Sequence, residues 1–229
     1  MPSKPILVFD VNETLLDLDH LGPLFQDLFG DSAVMRDWFA QLILYSQTLT
    51  LTGLRSDFAT LAGGVLQMIG TIRGVPVSDA ATARLRGAIG SMPAHPDAPA
   101  ALMRLREAGF RMVTLTNSPP SDGPSALQRA GLGDQFERSF SVQPSGCFKP
   151  APATYQLVAE ALSVPIVDLC LVACHVWDTI GMQALGGKGA LVTHGVNAPL
   201  PVPGVPQPDL VVPDLDALSR AIPAAWAAG

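Results

Sequence analysis

The chain is poor in charge, in cysteine and in aromatic residues. Lys and Arg number 14 against 20 Asp and Glu, a net charge of -6, so no basic face for nucleic acid is expected. Three cysteines, Cys147, Cys170 and Cys174, make no even disulfide framework, and a reduced, cytoplasmic setting is the expectation. Cys170 and Cys174 lie in an apolar, strand-like run and read as small buried hydrophobes. The longest apolar runs have the length of strands, so no membrane span is expected. Met1 to Pro5 leads directly into a strand, without the charged leader and longer apolar core of a secretory signal. What the chain has in quantity is apolar residues, 48% of 229, enough for one large domain or a core with a smaller companion.

The apolar run Ile6-Leu7-Val8-Phe9 ends in Asp10, and Val11-Asn12-Glu13-Thr14-Leu15 follows. A continuous run suits a strand buried on both faces of a parallel sheet. Such a strand ends at the carboxyl edge, where open α/β sheets bind ligands. Asp10 is then either a carboxylate at the mouth of a crevice or the cap of a following helix. From about Leu18 to Ile89 the spacing is helical. Leu21, Leu24, Phe25, Leu28 and Phe29 form one face. Ser32 is placed to cap a second helix through Met35, Trp38, Phe39, Leu42 and Tyr45. Phe58, Leu61, Val65, Met68 and Ile69 suggest a third helix, and Ser78 starts a fourth with Leu85 and Ile89.

A proline-broken linker, Met92 to Asp97, separates this block from an alternation of elements. Helices are expected over 98–108, 121–130, 152–162, 177–185 and 215–222. Strands are expected over 111–116, 140–142, 169–173, 189–193 and 210–212, with a proline-rich loop at 199–208. The alternation predicts an α/β fold with a doubly wound parallel sheet. The expected organisation is an α/β core of residues 1–16 and 93–229 with a helical cap, 17–92, inserted after the first strand. A cap there covers the carboxyl edge and encloses a small ligand.

Polar groups recur where the expected strands end: Thr116-Asn117-Ser118, Phe148-Lys149-Pro150 and Asp178. In a parallel sheet these ends share one side, so Asp10, Thr116, Lys149 and Asp178 can converge. An ionised carboxylate is a nucleophile that needs no base. A nearby lysine keeps it ionised, a hydroxyl and amide can hold an anionic substrate group, and a second carboxylate can orient the lysine or a water. Each residue alone has a plainer reading: Thr116-Asn117-Ser118-Pro119 as a turn, Lys149 as a solvated loop lysine, Asp178 as a complement to a helix dipole, His175 as a turn residue. Gly186-Gly187-Lys188-Gly189 lacks the spacing and the Ser or Thr of a phosphate loop and reads as a strand-entry turn.

Phe9-Asp10-Val11-Asn12-Glu13-Thr14-Leu15, then Thr116-Asn117, Lys149-Pro150 and Trp177-Asp178, together resemble the haloacid dehalogenase superfamily over most of the chain. The helical insert resembles its first type of cap. Most members are magnesium-dependent phosphatases with a second Asp two residues after the nucleophile, where this chain has Asn12. They also carry paired acids at the last motif, where Asp178 is followed by Thr179. The chain is therefore more similar to the type II 2-haloacid dehalogenases, which use no cofactor and no metal. By that resemblance Asp10 attacks the α-carbon of a short halogenated carboxylic acid and expels halide, and water hydrolyses the ester to a 2-hydroxy acid. The resemblance implies Asp10, Thr14, Lys149 and Asp178 as catalytic residues, with Tyr155 supporting the lysine. Thr116 and Asn117, with the amides of Val11 and Asn12, are implied to hold the substrate carboxylate. The family's arginine after the cap tryptophan is replaced: Phe39 follows Trp38. The Ser and Asn ahead of its Trp-Asp become Ala173 and His175. Three alternatives follow: His175, if protonated, meets halide or water; Phe39, Trp38 and Trp177 line an apolar pocket that changes the leaving group or substrate; or the natural substrate is not a haloacid. A homodimer through cap residues Leu42, Leu44 and Leu49 is also implied. Two other readings stay open: a divergent magnesium-dependent phosphatase of the same fold, and a non-catalytic binder of small acids.

Overall fold

A computed structural model describes residues 4–226. The expected core limits at residues 1 and 229 therefore lie outside the described residues. Six parallel strands form one sheet: β1 (Ile6–Phe9), β2 (Met112–Thr116), β3 (Arg138–Ser141), β4 (Leu169–Ala173), β5 (Lys188–Val192) and β6 (Leu210–Val212). Their order is β3-β2-β1-β4-β5-β6. The order reverses at β1, which lies between β2 and β4, so the crevice of a doubly wound sheet falls at its carboxyl end. Every residue of β1 and β4 is buried, which is why these strands read as unbroken apolar runs.

Between β1 and β2 lie α1 (Gly22–Phe29), α2 (Val34–Thr52), α3 (Phe58–Arg73) and α4 (Asp79–Gly90), followed by α5 (Ala98–Glu107). The first four are the expected cap. Asp57 caps α3 by accepting from Thr60 N at 2.8 Å, and Ser78 caps α4 by accepting from Ala81 N at 3.2 Å. Ser32 does not cap α2. The helix starts after Ala33 with no side-chain cap, and the Ala33 amide donates to Asp31 Oδ1 at 2.9 Å in the turn before it. The two chain crossings between cap and core pair with each other: Asp17 N donates to Pro93 O at 2.8 Å and His95 N to Leu15 O at 2.9 Å. Leu42 is buried in the cap interior, and Leu49 is half-buried against it. Of the three residues expected at a dimer face, only Leu44 is exposed.

The remaining helices are α6 (Ala126–Arg129), α7 (Pro152–Leu162), α8 (Val176–Gln183) and α9 (Leu215–Trp226). The helix expected from 121 shrinks to α6. Pro124 disfavours helix at Gly123, and Ser125 with Gln128 forms a capping box that fixes the start at 126. The helix expected to end at Ile222 continues to Trp226 through Pro223. The strand expected at 140–142 starts earlier, at Arg138, where it pairs with Val113 of β2. The proline-rich 199–208 stretch contains neither helix nor strand.

Helices α7 and α8 meet behind the sheet's carboxyl edge at Gly181. A Cβ built there would lie 2.5 Å from Tyr155 Oη and 2.6 Å from Pro150 Cβ. Gly181→Ala is expected to destabilise the protein by about 1–3 kcal/mol, the usual cost of overpacking, and to displace Tyr155. Thermal melting checks this, and an unchanged midpoint would refute the packing role.

Candidate active site

Asp10 follows β1 directly, and its amide donates to Val172 O of β4 at 2.9 Å. This bond continues the sheet by one residue and plants the carboxylate at the edge. Thr14 Oγ1 donates to Asp10 Oδ2 at 2.7 Å and itself accepts from Cys174 N at 3.0 Å. Lys149 Nζ donates to Asp10 Oδ1 at 2.7 Å, to Asp178 Oδ2 at 2.5 Å and to Leu115 O at 3.2 Å. All three of its protons are thereby engaged. Tyr155 Oη donates to Asp178 Oδ1 at 2.5 Å. Asp10, Thr14, Lys149, Tyr155 and Asp178 are all buried, and they form one chain of polar groups paired with one another and with the backbone of Leu115 and Cys174.

Burial alone would strip Lys149 of its proton, but the carboxylates of Asp10 and Asp178 outweigh that and hold its pKa above the ordinary lysine value. Burial pushes the Asp178 carboxyl up, against the pull of Lys149, with the Asp10 charge adding to the rise. The Tyr155 phenol is pushed well above its usual range, first by burial and then by Asp178, so it is a neutral donor.

The second strand end is tied to the lysine's loop. Asn117 Oδ1 accepts from the Lys149 amide at 3.0 Å, so this side chain positions the lysine's backbone. Thr116 Oγ1 accepts from Ser118 N at 3.1 Å and shapes the turn. Asn12 Nδ2 donates to Ser118 Oγ at 3.4 Å, tying the first loop to the second. The Val11 and Asn12 amides follow Asp10 in the same loop.

On the other side of Asp10, the ring of His175 stacks with Phe39 of the cap at 5.3 Å and with Trp177 at 5.4 Å between centroids. Two of the departures from the family pattern, Phe39 and His175, are therefore neighbours. Trp38 is not with them: it is buried in the cap and donates from Nε1 to Ala62 O at 3.0 Å. Its indole proton needed a partner, and α3 supplies one.

Four residues that sequence reasoning missed complete this side. Glu13, buried and in the left-handed backbone region at φ 66°, accepts from His175 Nε2 at 2.7 Å. Arg36 of α2 also pairs with Glu13, and with Asp19 at 2.6 Å. His95 Nε2 donates to Glu13 O at 2.9 Å and His194 Nε2 to Thr14 O at 3.1 Å, and these two rings stack at 4.0 Å. Nothing in the spacing of Glu13, Arg36, His95 and His194 signals that they meet. Burial would raise the Glu13 carboxyl, but His175 and Arg36 bring it down to about 2. Burial opposes the charge on His175, yet Cys174 and Glu13 hold it protonated, with a pKa well above the usual imidazole range. Burial raises the Cys174 thiol, so it is a poor nucleophile.

Asp10, Cys174 and His175 bring metal-ligand atoms within 4.8 Å of one another. The donor set does not suit a cation. Both Asp10 oxygens carry hydrogen bonds, one of them from the Lys149 ammonium, and the His175 Nε2 is taken up by Glu13. A cleft of about 270 Å³ opens between the cap segment Leu54–Phe58 and core residues that include Asn117, Gly146 and Phe148.

The Glu13–His175 pair sets a pH window. The Glu13 carboxyl is lowered in the fold, so its contribution is complete above about 4.5 and is lost as pH falls towards 2. His175 is raised, so its contribution is complete below 6.5 and is lost as pH climbs through the raised value. The stability advantage of the native protein over Glu13→Gln is expected to be greatest between these limits, about 3 kcal/mol, and to shrink on either side. Denaturant titrations at pH 3, 5.5 and 9 would check it; a flat difference would refute the pairing.

A model of the haloacid dehalogenase-like hydrolases matches residues 5–186. The chain is 29% identical over 202 residues to (S)-2-haloacid dehalogenase 1 of Pseudomonas sp. (strain CBS-3), covering 87% of this chain and 88% of that one. It is 28% identical to (S)-2-haloacid dehalogenase 4A of Burkholderia cepacia, covering 84% of each. The solved L-2-haloacid dehalogenase of Xanthobacter autotrophicus with chloropropionic acid covalently bound superposes with a TM-score of 0.86 at 25% identity, over 99% of this chain and 100% of that one. With the family model spanning most of the sheet and the whole cap, the chain belongs to the haloacid dehalogenase-like hydrolase family.

Proposed function

We propose that the protein hydrolyses the carbon–halogen bond of short 2-haloalkanoic acids without a metal or other cofactor. The observation that carries this reading is the Lys149 ammonium held between Asp10 and Asp178. A buried lysine fills the place between the two carboxylates, and Asn12 supplies no acid beside Asp10. That suits displacement by a carboxylate and suits magnesium-assisted phosphoryl transfer poorly. Asp10 attacks the α-carbon; the new C–O bond forms as the C–halogen bond breaks, and the electron pair leaves with the halide. Water then adds to the ester carbonyl of Asp10, releasing a 2-hydroxy acid and restoring the carboxylate.

Lys149 and Thr14 fix Asp10, and Tyr155 and Asp178 fix Lys149. Both Asp178 oxygens are already bonded, so its influence on the hydrolytic water runs through the lysine. The substrate carboxylate is held by the Val11 and Asn12 amides with the Thr116-Asn117 turn, and Phe39 and Trp177 supply apolar walls. The relatives' names and the covalently bound chloropropionic acid of the Xanthobacter autotrophicus enzyme support this substrate class. No nucleic acid or membrane partner enters the reading; among the described residues no helix is long and apolar enough to cross a membrane.

The same reading takes residues 17–92 as the cap and 1–16 with 93–229 as the core. The hydrogen bonds that pair the two crossings at Asp17 and Pro93 support that division. It places the enzyme in the cytoplasm, in keeping with three free cysteines. It also makes the enzyme a homodimer, for which Leu44, Leu51 and Leu54, exposed along and just beyond α2, offer an apolar face.

Halide release from 2-chloropropionate and its homologues, with EDTA or with magnesium, tests the function. Release that EDTA leaves unchanged is expected, with a loss of roughly 10⁴-fold or more in Asp10→Asn. Magnesium-dependent phosphate release from phosphate esters, with no halide, would overturn the reading. For the assembly, sedimentation is expected to give a dimer that Leu51→Glu weakens; a monomeric native protein would exclude it.

A further inference from the structure

We propose that Glu13 is a positioning residue for the leaving group: bonded to His175 Nε2 at 2.7 Å, it turns the ring so that Nδ1 faces the space beside Asp10 where the departing anion is received. The inference rests on the dehalogenase reading and assigns a part of the site which that reading leaves open.

Displacement at Asp10 releases a halide into a site where water is scarce, and an anion there needs a cationic donor. Lys149 and Thr14 are spent on the two Asp10 oxygens. His175 is the nearby cation that does not bond Asp10. One of its ring nitrogens, an Asp10 oxygen and the Cys174 sulfur lie within 4.8 Å of one another. Nδ1 is 3.3 Å from Cys174 Sγ, a weak acceptor that a halide can replace. No proton moves in this step; the imidazolium donates a hydrogen bond and keeps its proton.

Glu13 suits the task because its direction is fixed. Its backbone is in the left-handed region, and its carbonyl is held by His95. Its other carboxylate oxygen is held by Arg36 of α2, the helix that also brings Phe39 against the imidazole. The cap thus contributes to the site twice, by a ring on His175 and by a cation on Glu13. The charged and titratable groups around His175 are Glu13 and Asp10 from the loop after β1, Cys174 after β4, Arg36 through Glu13, and Lys149, 6.0 Å from the Trp177 ring. The carboxylates favour the imidazolium, and Glu13 is the one bonded to it.

The test combines two readouts on the whole chain. One is the pH profile of chloride release from 2-chloropropionate; the other is the NMR titration of His175 in histidine-labelled protein. In the native enzyme kcat/KM is expected to fall on the alkaline side as His175 loses its proton. In Glu13→Gln both the limb and the His175 signal are expected to move to lower pH, by about one to three pH units. In His175→Gln the limb is expected to vanish, which answers the question even if Glu13→Gln does not fold. If the NMR signal moves and the limb stays, or if the limb survives in His175→Gln, the leaving-group role is overturned. If the signal does not move, Glu13 does not hold His175. A native enzyme that releases no halide at any pH overturns the dehalogenase reading itself, and the NMR titration separates that failure from the others.

Discussion

The Lys149 ammonium between Asp10 and Asp178 is the interaction on which the site depends. Two carboxylates buried this closely would repel each other, and one would take up a proton. A single buried cation bonded to both carboxylates offsets that repulsion and fixes Asp10 in place. The lysine is itself dictated by the fold: Leu115 O at the end of β2 takes its third proton, and Asn117 holds its amide. Taking out one member of such a network leaves an uncompensated buried charge, which costs about 3–5 kcal/mol.

The sheet explains why these groups meet. All six strands are parallel, so every strand end named here opens on the same side. β1 lies centrally, with Asp10 continuing its ladder to Val172, which anchors the start of the loop that carries its carboxylate. Four cap helices inserted after β1 then cover the open side. The cap is more than a lid. Arg36 and Phe39, three residues apart on α2, both act on the Glu13–His175 pair. The site therefore has two ionic clusters on either side of Asp10, one wholly from the core and one shared with the cap.

Sequence and structure agree most closely where one local rule decides. Parallel strands buried on both faces are unbroken apolar runs, so β1 and β4 and the alternation around them were legible, as were the helices of the insert from their spacing. Where two local rules competed, the local reading failed: the capping box at Ser125 overrode the longer helix, and the turn at Asp31 left α2 to start after Ala33 without a side-chain cap. Asp10, Lys149 and Asp178 were legible because parallel topology forces their strand ends together, whereas Thr14 came only with the family resemblance.

By itself, then, the sequence determined a capped doubly wound sheet with a carboxylate–lysine–carboxylate group at its edge. These properties follow from periodicity and from order along the chain. The tertiary structure alone decided how the remaining polar groups are spent. Asn117 turned to the lysine's backbone, Trp38 turned into the cap, and Glu13 was paired with His175 and with an arginine 23 residues away. Such pairings depend on where helices dock and which way a side chain leaves a left-handed residue. No local pattern in the chain encodes either.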